Sequence, residues 1–182
     1  IQKILQYLSS LVLEKADVIS QAFTFMTKLD WIFAKAKLAI EMNAIRPAIN
    51  EDRFINIVEG RHPLIDKNAI VPISIWCGKE FDCLIVTGPN TGGKTVSVKI
   101  IGLFTLMAYS GIPVLASSST IPIFDQVFAD IGDDQSIVQS LSTFSSHLSK
   151  IAQILDSATS KSLVLLDELG SGTDPDEGES LA

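Results

Sequence analysis

Apolar side chains recur every three or four positions along the first 44 residues: Ile4, Leu5, Leu8, Leu11 and Val12, then Phe25, Leu29, Ile32, Phe33, Ala36 and Ile40. Neither Gly nor Pro interrupts the stretch. The spacing predicts one or two long helices that pack on something through this stripe, and a scaffold or connecting helix satisfies the pattern without further function. Arg46-Pro47 ends the run, because a proline ring disfavours helical backbone in the residue before it.

Beyond the proline the texture changes to short β-rich runs at 54–58, 70–75 and 83–87, separated by Gly, Pro and Asn turns. The natural boundary lies near residue 50, dividing a helical segment (1–49) from a mixed domain (50–182). In the latter the pattern predicts a helix over 94–109, a short strand at Val114 and Leu115, a strand region over 121–131, a helix over 143–155 and a strand over 162–166. Strands that alternate with helices and lack a polar face belong to a sheet covered on both sides. The expected fold is therefore α/β with three layers.

The chain has 182 residues, of which 47% are hydrophobic and 19% charged, enough for one domain with a sizeable core and an appended helical piece. Its net charge of −7 opposes tight binding of a phosphate backbone by the surface as a whole, so any DNA contact is local or lies elsewhere. Cys77 and Cys83 have neither CxxC spacing nor clustered histidines and read as ordinary core thiols. Lys, Gly or Ser interrupts every apolar stretch short of a membrane span, and no signal peptide is present, which points to the cytoplasm and to no membrane partner. The chain opens at Ile1 inside a helical repeat and stops at Ala182 soon after a new helix signal, as a fragment of a longer protein would.

Two segments carry chemistry. The apolar run from Cys83 leads into Gly88-Pro89-Asn90-Thr91-Gly92-Gly93-Lys94-Thr95 and then a helix, which is the strand, loop and helix context of a phosphate-binding loop. Glycines let successive backbone N–H groups face phosphate oxygens, and the helix presents its positive end to the same anion. Lys94 would reach the β- and γ-phosphates of ATP, and Thr95 would offer its hydroxyl to Mg2+. A chance glycine turn would share the eight residues, but not the flanking elements. Downstream, four apolar residues deliver Asp167 and Glu168 at the end of a strand, where open α/β sheets place their ligands. Asp167 suits Mg2+ through its water shell, and Glu168 suits a general base for the attacking water; the bland alternative is a pair of solvated turn acids. Asp174, Pro175 and Glu177 then form a helix-start signature that needs no ligand.

These residues resemble the MutS ATPases, whose nucleotide domains are related to those of ABC transporters. Four stretches carry the resemblance in order: Glu59-Gly-Arg-His62-Pro63-Leu, Thr87-Gly-Pro-Asn-Thr-Gly-Gly-Lys-Thr95, Leu141-Ser-Thr-Phe144 and Leu165-Leu-Asp-Glu-Leu-Gly-Ser-Gly-Thr173. They cover roughly residues 46–182, and the preceding helices, with Leu29-Asp30-Trp31, look like the tail of the family's lever and core helices. Asp130-Ile-Gly-Asp-Asp-Gln135-Ser136 with Ser142-Thr-Phe-Ser-Ser-His147, and Gly172-Thr-Asp-Pro175, resemble the second bacterial branch, MutS-two, more than the mismatch-recognition branch.

The resemblance implies a P-loop NTPase of the MutS domain V type that binds and hydrolyses ATP with Mg2+. Its binding set would be the loop residues Gly88, Pro89, Asn90, Thr91, Gly92, Gly93, Lys94 and Thr95 together with Val96. Ile70 would pack on the base where many relatives stack an aromatic ring. It also implies a homodimer joined through the ATPase domains, with Ser142 of one subunit facing the γ-phosphate held by the other. His62 reads as structural, and His147 as a polar contact. For the parent protein the family implies branched-DNA binding, suppression of recombination, a C-terminal nuclease domain and, in some members, action on stalled ribosomes. A ribosome-acting or transport ATPase is the competing reading. Because the family's switch histidine would lie beyond Ala182, the isolated chain is expected to be a weak ATPase.

Overall fold

The computed structural model describes residues 1–89, 92–132 and 140–167, with only the backbone of 140–146 described. The chain divides into two compact units, Ile1–Met42 and Asn43–Ala182.

The first unit consists of α1 (Gln2–Leu13) and α2 (Ala16–Met42), so the long helical pattern is realised as two helices. Thr24 and Thr27 turn their hydroxyls back onto the carbonyls of Ser20 and Phe23 at 3.0 and 2.9 Å, so both exposed hydroxyls find partners within α2. Neither helix buries a residue, and the apolar stripe stays exposed along its length.

The second unit contains two sheets. In the first, β1 (Ala48–Asn50), β2 (Ile55–Gly60), β3 (Ile73–Cys77) and β4 (Ser118–Pro122) lie in the order β1-β4-β2-β3. β1 runs parallel to β4, and β2 is antiparallel to both its neighbours. The β2–β3 register shifts between Ile57 and Gly60, and Glu59 takes a positive φ of 52° there. The second sheet pairs β5 (Val127–Asp130) with β6 (Leu163–Leu166) in parallel, from Val127 opposite Leu163 to Asp130 opposite Leu166. Two helices complete the unit, α3 (Lys94–Tyr109) and α4 (Ser140–Ser157).

α3 organises the core. Ile100, Ile101, Phe104 and Met107 are buried at helical spacing, and buried Thr105 donates its hydroxyl to the Ile101 carbonyl at 2.8 Å. Ile57, Val114 and Ile121 are fully buried with them. The helix meets both sheets: a Cβ on Gly60 of β2 would lie 3.4 Å from Ile100, and one on Gly102 would lie 2.7 Å from a methyl of Leu165 in β6. Gly102 therefore sets how closely α3 approaches the strand that leads to Asp167.

The fold is α/β and differs from the sequence pattern at several points, among them β1, which begins inside the expected helical segment 1–49. The 83–87 run forms no strand; its apolar side chains are exposed, Ile85 by 80%. It borders a groove of about 550 Å³ shared with Ile73, Ile75 and Trp76 of β3. A wholly apolar run becomes a buried strand only when sheet neighbours flank it, and among the described residues this one has none. The 121–131 region is two strands in different sheets, divided at Ile123 to Gln126. Val114 forms only an isolated bridge to Ile45. Cys83 is exposed and Cys77 half-buried, so neither is a core thiol.

Candidate functional site

The loop before α3 is shaped by its glycines. Gly88 and Gly93 have φ of 142° and 80°, in the region that L side chains rarely adopt, and among the described residues a Cβ at either would meet nothing within 4 Å. Backbone conformation and not lack of space therefore requires glycine at both positions. The Gly92 N–H closes a turn on the Pro89 carbonyl at 2.9 Å. Gly93 is the N-cap of α3 and offers no side chain to the first helical N–H groups. That leaves a sixteen-residue helix presenting its positive end beside the loop. Lys94 spans the loop, its Nζ donating to the Gly88 carbonyl at 2.5 Å. Thr95 and Val96 are half-buried in the first turn.

The second part of the site lies at the C-terminal ends of β5 and β6. Asp167 follows β6, half-buried, and its N–H donates to the carbonyl of Asp130, the last residue of β5, at 3.0 Å. The Asp130 carboxylate is buried and meets two side chains of α4: His147 Nδ1 lies 2.7 Å from Oδ2, and Lys150 Nζ lies 3.3 Å from Oδ1. The start of this parallel pair is held by Asp125, which accepts from the Thr159 hydroxyl at 2.5 Å and the Ser162 hydroxyl at 2.9 Å. The Thr159 hydrogen bond, foremost, lowers the Asp125 pKa. Among the described residues no three His, Cys, Asp or Glu side chains gather as a metal cluster.

A family profile described as MutS domain V matches residues 84–182, a span that includes the glycine loop, α3 and β6. The chain belongs to the MutS family. Proteins named Endonuclease MutS2 are 54% identical in Alkaliphilus oremlandii, 55% in Caldicellulosiruptor bescii and 51% in Clostridioides difficile. Each match covers 100% of this chain and 23% of the relative, so the chain spans about a quarter of the length of these MutS2 proteins.

Within this MutS chain the predicted site residues fall into three groups. Gly88, Pro89, Gly92, Gly93, Lys94, Thr95 and Val96 are gathered at the start of α3, and Gly102 against Leu165 packs that helix on the strand ending at Asp167. Ile70 lies in a separate element, the 66–70 turn, half-buried, with its N–H on the Asp66 carbonyl at 3.0 Å. Asn90, Thr91, Glu168 and the run from Gly170 to Glu177 lie outside the described residues, as does the side chain of Ser142, whose backbone is in the first turn of α4. His62 Nδ1 accepts the Leu64 N–H at 3.3 Å, a turn contact. Sequence reasoning named Asp130 only within a family motif and missed its contacts, because the sequence does not reveal that the ends of β5 and β6 lie side by side. No helix among the described residues is long and apolar enough to cross a membrane.

Proposed function

We propose that this MutS chain is the ATP-binding and ATP-hydrolysing part of a MutS2-type, DNA-binding protein, with helices from the core and lever region, α1 and α2, preceding a P-loop ATPase domain. The carrying observation is the phosphate loop closed by Lys94 on Gly88 at the open N-terminus of a helix packed on the Asp167 strand. An anion suits this cradle because uncapped N–H groups, the helix dipole and an ammonium converge there. Mg2+ suits it too: a nucleotide-bound magnesium takes most of its ligands from phosphates and water, so Thr95 and Asp167 suffice without a protein-built cluster. When bound, the ion would neutralise charge on the phosphates. Glu168 then serves as general base, Ile70 packs on the base, and Ser142 acts on nucleotide held by the partner subunit of a homodimer. DNA binding, and the nuclease activity in the relatives' name, belong in this proposal to the whole protein.

Lys94→Ala tests the reading directly. Loss of a charged hydrogen bond to phosphate is worth about 1.5–3 kcal/mol, or roughly tenfold to a hundredfold in affinity. Calorimetry with Mg-ATP is expected to show that weakening, and equal affinity in the two proteins would overturn the site.

A further inference from the structure

Asp130 is 5% exposed, and a buried carboxylate is costly unless donors meet it. Both donors come from one face of α4, three residues apart: His147, 20% exposed, and Lys150, 57% exposed. Of the two, the shorter and more enclosed contact to His147 Nδ1 gives the directional restraint; a carboxylate only accepts, so Nδ1 donates. The backbone carbonyl of the same aspartate holds the Asp167 N–H. One residue thus joins α4 to the strand end that carries Asp167.

We propose that Asp130 and His147 are positioning residues for ATP hydrolysis, fixing the azimuth of α4, and with it Ser142, relative to Asp167. The inference rests on the ATPase reading above. Ser142 lies five residues before His147 on the same helix, about 7.5 Å along its axis, so a rotation or slide permitted at His147 reaches it nearly undiminished. Phosphoryl transfer depends on placing charge-stabilising groups, and a misplacement of about 1 Å costs roughly a hundredfold in rate. Nucleotide binding rests chiefly on the phosphate loop, and among the described residues neither Asp130 nor His147 bonds to it. Loss of the tie therefore lowers kcat and leaves affinity alone.

The experiment uses full-length protein in three variants. His147→Ala removes the donor; His147→Asn places an amide nitrogen where Nδ1 stood; His147→Gln keeps size and polarity but places its amide at the Nε2 position, away from Asp130. Ala and Gln are expected to lower kcat by tenfold or more with unchanged nucleotide Kd and KM, and Asn to restore most of it. Wild-type kcat in both Ala and Gln, or equal loss in all three, overturns the proposal. Hydrogen exchange decides independently of turnover: α4 amides and the Asp167 amide are expected to exchange faster in Ala and Gln than in wild type and Asn, and identical exchange overturns it. Wild-type protein that hydrolyses no ATP would instead overturn the ATPase reading. Should His147→Ala not fold, Gln against Asn carries the comparison.

Discussion

His62, in the turn after β2, is held by desolvation and by the nearby Lys99 charge below its ordinary pKa of 6.5. Its Nδ1 also accepts the Leu64 N–H, a contact that protonation there removes. A histidine whose folded pKa is depressed takes up its proton more readily in the unfolded chain. Its contribution to stability is therefore complete above pH 6.5 and declines as pH falls from there toward the folded pKa. Denaturant titrations at pH 8, 6.5 and 5.5 are expected to show wild type losing more stability on acidification than His62→Gln, which cannot titrate. Parallel pH dependence in the two proteins would contradict this. At this scale the sequence was most legible where one residue type answers one geometric demand. Gly88 and Gly93 were named from spacing and take positive φ. The tie between Asp130 and His147 was not legible, because it depends on which strand ends lie side by side and which helix face crosses them.

The β2–β3 hairpin depends on Gly78. Its φ is +95°, and a Cβ there would lie 1.9 Å from the Arg53 carbonyl oxygen and 2.9 Å from its carbon, both backbone atoms that cannot swing aside. Gly78→Ala combines backbone strain with overpacking, so an expected loss of about 2–5 kcal/mol follows. Gly132→Ala is the contrast, since among the described residues its Cβ would meet nothing within 4 Å, and its effect should stay within about 0.5 kcal/mol. Urea unfolding of the two variants measures both, and equal midpoints would refute the hairpin argument. Elements were legible in proportion to how local their causes are. The helix over 94–109 matches α3 residue for residue, since loop glycines start it and Ser110-Gly111 stops it. The 83–87 run, by contrast, has strand composition without strand pairing, and β4 and β5 read as one region because nothing in four intervening residues reveals a change of sheet.

At the scale of the whole molecule, the site at which Ser142 acts separates a shared nucleotide site from a self-contained one. Within one chain, α4 is tied through His147 and Asp130 to the strand end bearing Asp167, which fixes the two groups relative to each other without assigning them to the same nucleotide. The two arrangements differ in how defects combine. In the proposed two-fold dimer, an Asp167→Ala subunit paired with a Ser142→Ala subunit makes two unlike sites if Ser142 crosses to its partner. One site lacks both groups; the other takes Asp167 from one chain and Ser142 from the other, and is complete. Random mixing in equal amounts makes half the dimers mixed, each with one working site, so ATPase activity should return to about a quarter of wild type. If Ser142 serves the nucleotide of its own chain, every site in every mixed dimer retains a defect and nothing returns. Steady-state turnover of the mixture, set against each variant alone, reads the difference; no recovery in mixtures shown by mass spectrometry to contain mixed dimers would place Ser142 on its own subunit's nucleotide.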